Sequence, residues 1–161
     1  MTAPAARIST LLVVDDNEAN RDVLSRRLAH KGYHVRVAVG GAEAIAMVAT
    51  GRFDLVLLDV EMPGIGSFDV LTALRTTHSR TELPVIMVTA RTDRDDIVAA
   101  FRLGANDYVT KPIDFPVDVV RIATHLAHKW AVSALRESEG GTRCGGSSRR
   151  TSSSPWPRKR G

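Results

Sequence analysis

Short apolar runs alternate with amphipathic stretches along most of this 161-residue chain. Thr10–Val14 (TLLVV) is a β-rich run, too short for a helix and ended by acids. Asn17 is placed to cap the helix that follows, with Glu18 and Asp22 near its positive end. Ala19, Val23, Leu24 and Leu28 then recur on one face up to His30, and Gly32 stops the helix. A second strand, about His34–Val39, precedes a short helix near Ala42–Ala49, closed by Gly51. Asp54–Leu58 (DLVLL) reads as a strand buried on both faces. A loop with Pro63, Gly64 and Gly66 leads to a helix near Phe68–Thr76. Pro84–Thr89 (PVIMVT) is the fourth strand, Asp95–Leu103 the next helix, and Asp107–Thr110 the fifth strand. After Lys111-Pro112 a last helix begins near Pro116, where proline suits the first turn.

Five β–α pairs in this order predict an α/β fold: a five-stranded parallel sheet, doubly wound, with helices on both faces. Ligands of such sheets collect at the carboxyl ends of the strands. Asp15 and Asp16 lie just past the first strand and Asp59 just past the third; Thr89 ends the fourth, and Lys111 follows the fifth. All five are expected at one rim. Three carboxylates there repel one another and call for a counter-charge, which a hard, oxygen-seeking cation such as Mg²⁺ supplies. Lys111 adds a further positive charge and Thr89 a hydroxyl. The set suits phosphoryl transfer to a carboxylate, with Asp59 as nucleophile and the cations neutralising the equatorial oxygens. Any one of these acids alone reads as a helix cap. Asp15 is either such a cap or an acid that orients water.

The stretches LLVVDDNEANRDVLSRRL, FDLVLLDVEMPG, LPVIMVTA and GANDYVTKPID closely resemble the receiver domain of two-component response regulators and hybrid sensor kinases, from about Ser9 to Ala131. The resemblance implies a CheY-like, flavodoxin-like (βα)5 fold, with Asp59 accepting a phosphoryl group from a sensor histidine kinase or histidine phosphotransfer protein. It further implies that Asp16, Asp59 and the backbone carbonyl of Glu61 hold Mg²⁺, with Asp15 supporting it through water. Lys111 would pair with the phosphoryl group across a cis Lys111-Pro112 bond, and Thr89 would hydrogen-bond to it. Tyr108 would turn inward behind Thr89, biasing the face made by the fourth helix, fifth strand and fifth helix. Glu61 and Arg91 are expected to rim the site and slow hydrolysis of the loaded form. One departure stands out. Ile65-Gly66-Ser67 replaces the Asp-Gly that most members carry after MPG, and Gly66 is expected to supply the permissive backbone there.

Charge changes the picture at the C-terminus only. The net charge of +4 is misleading, because all 18 acids precede residue 140 and the last 22 residues hold basic side chains alone. Residues 1–8 and that Gly/Ser/Arg-rich tail, 140–161, are expected to be disordered, flanking a receiver at 9–130 and a helical extension at 131–139. Along that last helix Val119, Ala123, Leu126 and Trp130 recur at helical spacing, followed by Ala131, Ala134 and Leu135. Beyond Ala131 these form a dimer-making extension, a linker to an output domain, or a frayed end. A homodimer is expected through this extension or through the fourth-helix face. The chain reads as a stand-alone regulator or one lacking its output domain. A basic tail gives at most salt-sensitive, non-specific attraction to nucleic acid. A phosphatase of the haloacid-dehalogenase type would want a second Asp where Glu61 stands, plus a cap insertion, so enzymatic turnover is not expected. A lone Cys144, no long apolar run and no signal-like N-terminus point to the cytoplasm, without a membrane.

Overall fold

The computed structural model describes residues 8–62, 64, 66–90 and 93–146, with side chains up to Arg136. The predicted order holds throughout: β1 (Thr10–Val14), α1 (Glu18–His30), β2 (His34–Ala38), α2 (Gly41–Thr50), β3 (Leu55–Asp59), α3 (Ser67–Arg75), β4 (Val85–Thr89), α4 (Arg94–Leu103), β5 (Asp107–Thr110) and α5 (Phe115–Gly146). One parallel sheet carries the strands in the order β2-β1-β3-β4-β5. The strand order reverses between β1 and β3, and a crevice opens at that switch point in such sheets.

β3 and β4 are buried at every position, as continuous apolar runs between two helical layers must be. Side-chain alternation sorts the core into two halves. Leu12, Val56, Leu58 and Met87 pack with Val48 of α2, Leu71 and Leu74 of α3 and Ala100 of α4. On the other face Leu57, Ile86, Val88 and Val109 meet Leu24 of α1 and Phe115 and Ile122 of α5. Asn17 caps α1 as predicted, its side chain accepting from the Asn20 amide at 2.9 Å.

Two helices differ from their predicted inner faces. In α1 only Leu28 is fully buried, while Val23 is 55% exposed. The apolar side of α1 borders an open cleft of about 610 Å³ instead of packing flush. On α5 the buried positions among the described residues are Phe115, Ile122 and Leu126, with Ala123 exposed, so the inner stripe is set by the larger side chains.

Contacts divide the chain at Lys129, with a second unit beginning at Trp130. In the first unit, Lys129 ties α5 to the segments that lead into β3 and β4: its ammonium donates to the Glu82 carbonyl at 2.7 Å and sits 3.4 Å from Asp54. The second unit continues the α5 helix to Gly146, past the Glu139 where helix was expected to end. Residues 1–7 and 147–161 lie outside the described residues. Among the described residues no helix is long and apolar enough to cross a membrane.

Candidate phosphoryl-transfer site

Parallel pairing of β1, β3 and β4 brings their carboxyl ends level, and the rim residues with them. Asp59 ends β3, with Val88 of β4 opposite it. The ladder continues one step further, the Val60 amide donating to the Val88 carbonyl at 2.8 Å. Thr89, fully buried, ends β4, and its carbonyl accepts from the Lys111 amide at 2.7 Å. That bond fixes where the lysine leaves β5. Lys111-Pro112 is cis.

Asp15, Asp16 and Asp59 each offer a carboxylate oxygen, and the three oxygens lie within 4.8 Å of one another. Asp15 and Asp59 are buried, 6% and 3% exposed, whereas Asp16 is exposed. Asp15 is not the helix cap, a role Asn17 takes; its Oδ1 accepts the Asn17 amide at 2.9 Å. Lys111 Nζ donates to Asp59 Oδ1 at 3.0 Å, and the Glu61 amide donates to the same oxygen at 3.2 Å. Both donors converge on Oδ1; no hydrogen bond to Oδ2 is found among the described residues.

Burial pushes the Asp59 carboxyl up to about 6; the Lys111 hydrogen bond opposes this and the Asp15 charge adds to it. Burial alone would lower Lys111, yet Asp59, Asp15 and Glu61 together hold it above its usual value. This is an anionic pocket short of positive charge. Its donor set, carboxylate oxygen only, matches the preference of a small hard cation.

The Glu61 carboxylate, 38% exposed, reaches across the rim: Thr89 Oγ1 donates to its Oε2 at 2.8 Å, and the Ala90 amide lies 3.3 Å from the same oxygen. Tyr108 is half-buried against the core, in register with Met87 of β4. Arg91 lies outside the described residues. The loop before α3 corrects one expectation. Gly64 holds the left-handed backbone, φ 82°, whereas Gly66 is extended at φ −66° and would tolerate a Cβ.

Sequence reasoning missed Ser67. Buried at 3% exposure, its hydroxyl lies 2.5 Å from the Asp59 carbonyl and 2.8 Å from the Val60 carbonyl, clamping the backbone behind the acceptor. A serine opening a helix signals only a cap.

The model of the response regulator receiver domain family matches residues 11–122. The chain belongs to this family. It is 37% identical over 133 residues to the response regulator PleD of Caulobacter vibrioides, covering 83% of this chain and 29% of that protein. A receiver domain protein of Methanospirillum hungatei superposes with a TM-score of 0.73 at 26% identity, over 78% of this chain and 98% of that one. The response regulator TrrA of Thermotoga maritima, solved with Mg²⁺-BeF, gives 0.66 at 30% identity, over 73% and 99%. This receiver spans about half or less of the length of the curated relatives it matches. Receiver domains are signalling modules that work with histidine kinases or phosphotransfer proteins.

Proposed function

We propose that this receiver is loaded on Asp59 from a phosphohistidine of a sensor kinase or phosphotransfer protein. An ionised Asp59 oxygen attacks phosphorus as the P–N bond breaks, and the departing imidazole nitrogen keeps the bond pair and takes a proton from water. The observation that carries this reading is the pairing of Lys111 Nζ with Asp59 Oδ1 at 3.0 Å, beside three mutually close carboxylates at the sheet's rim.

Each side chain then has a task. Asp15, Asp16, Asp59 and the Glu61 carbonyl would hold Mg²⁺, which when bound offsets the charge of the transferring group. Lys111 holds the acceptor in place and receives a phosphoryl oxygen. Thr89 turns its hydroxyl to another oxygen, and Tyr108 fills the space it leaves, biasing the α4-β5-α5 face towards a partner-binding form. Glu61 and Arg91 would slow hydrolysis by screening the approach of water. The protein acts in the cytoplasm as a switch, alone or beside an output domain, without turning over a substrate and without reading DNA sequence.

Intact mass after incubation with a small-molecule phosphodonor and Mg²⁺ tests the acceptor. The expected result is a gain of one phosphoryl group that is absent in Asp59→Asn. A gain that persists in that variant would remove Asp59 from the role. The decay of the loaded form, shortened in Glu61→Ala or Arg91→Ala, reads the screening.

A further inference from the structure

The groups expected to receive phosphoryl oxygens are not idle in this structure. The Thr89 hydroxyl donates to Glu61 Oε2 at 2.8 Å. The Ala90 amide lies 3.3 Å from the same oxygen and 3.4 Å from Oε1. Lys111 Nζ sits 3.9 Å from Oε1 while bonded to Asp59. A hydroxyl, a backbone N–H and an ammonium thus converge on one carboxylate, which follows the acceptor by two residues. A carboxylate and a phosphoryl group ask for the same donors: both present anionic oxygens that take charge-assisted hydrogen bonds.

We propose that Glu61 is an internal stand-in for the phosphoryl group, occupying its donors in the unloaded receiver and withdrawing when Asp59 is loaded. This rests on Asp59 being the acceptor. Glu61 is 38% exposed on a surface loop, so its carboxylate regains water when it moves from these donors to the outer rim of the site, where it still stands over the acceptor. Thr89 is fully buried, and its side chain turns within the site as the hydroxyl exchanges the carboxylate for a phosphoryl oxygen. The consequence is a gate on loading. Only the fraction of molecules with Glu61 withdrawn presents Thr89 and Ala90 to the incoming group, and the observed rate scales with that fraction. Glu61 also gives Thr89 a defined partner in the off state, so the switch has two bonded ends.

Loading rates of the full chain with phosphoramidate and Mg²⁺, followed by intact mass, separate contact from charge. Glu61→Asp keeps the charge but is one methylene too short to reach the Thr89 hydroxyl, whereas Glu61→Gln keeps the reach and drops the charge. Glu61→Ala loses both. Glu61→Asp and Glu61→Ala are expected to load about five- to tenfold faster than wild type, with Glu61→Gln between. In the unloaded protein the Ala90 amide resonance should move in Glu61→Asp and Glu61→Ala, reporting loss of its acceptor.

Wild-type rates in all three variants would overturn the proposal. So would a Glu61→Asp that stays slow while Glu61→Gln and Glu61→Ala accelerate, since simple repulsion of the donor would then suffice. Neither result touches Asp59 as acceptor. Absence of loading in wild type and variants alike strikes the acceptor assignment, and the gate falls with it.

Discussion

At the scale of single residues, Asp59 is held in a place that suits its chemistry and not its charge. It is 3% exposed, with Asp15 close by, and its carboxyl is pushed up to about 6 from an ordinary 3.8. Between those two values the folded chain keeps a proton that the unfolded chain has lost. Stability therefore falls as pH rises through that window, and the penalty persists above it. Asp59→Asn removes the ionised form and should be the more stable protein at pH 7.5 without divalent cations, by on the order of 2 kcal/mol. At pH 4.5, where the native aspartate keeps its proton, the advantage should shrink. Added Mg²⁺ at pH 7.5 should narrow the gap by stabilising wild type. Thermal melts of both proteins at the two pH values check this, and a less stable Asp59→Asn at pH 7.5 would show that the site carries no such penalty.

At the scale of elements, what was legible depended on distance along the chain. Strand ends are local signals, so the rim positions of Asp15, Asp16, Asp59, Thr89 and Lys111 followed from apolar runs and their boundaries. Contacts across 28 or more residues leave no such trace. Glu61 meeting Thr89 is one case; Arg75 is another. At the last turn of α3 an arginine reads as a cation suited to the helix dipole. In the fold its guanidinium, half-buried, instead donates to the Gly104 carbonyl, the Leu83 carbonyl and Asn106 Oδ1, all at 2.9 Å, joining α3 to the ends of two loops. Gly104 is the matching half. Its φ of 116° belongs to glycine, and a Cβ there would meet Arg75 side-chain atoms at 2.7–2.9 Å. Gly104→Ala should therefore destabilise by about 2–3 kcal/mol, from the backbone conformation and the displaced arginine together. Denaturant titration of Gly104→Ala, Arg75→Ala and the double variant should show losses well short of additive, because both act on one contact. Full additivity would mean that the two residues stabilise the fold independently.

At the scale of the whole molecule the question is what the switch acts upon. The surface expected to respond holds more exposed apolar side chains than a solvated helix needs: Val98, Phe101 and Leu103 on α4, with Val117 and Val120 on α5. A second apolar candidate, Leu135, is 63% exposed further along the α5 helix in the other unit. These make different demands. The α4-β5-α5 surface lies on the same compact unit as Thr89 and Tyr108, so under the proposed switch a change at Asp59 would reach it through β4 and β5, which are paired residue by residue. A helical extension that dimerised by its own apolar side chains would associate irrespective of loading. Light scattering of the loaded and unloaded protein is therefore expected to show a dimer that strengthens on phosphorylation. Phe101→Glu should abolish that increase while leaving the mass gain at Asp59 intact, since Phe101 lies in the last turn of α4 and lines no part of the cleft at Asp59. Leu135→Glu should leave it unchanged. The reverse pattern, with Leu135→Glu breaking a dimer equally strong in both states, would assign association to the extended helix. The responsive face would then be free to bind a different partner.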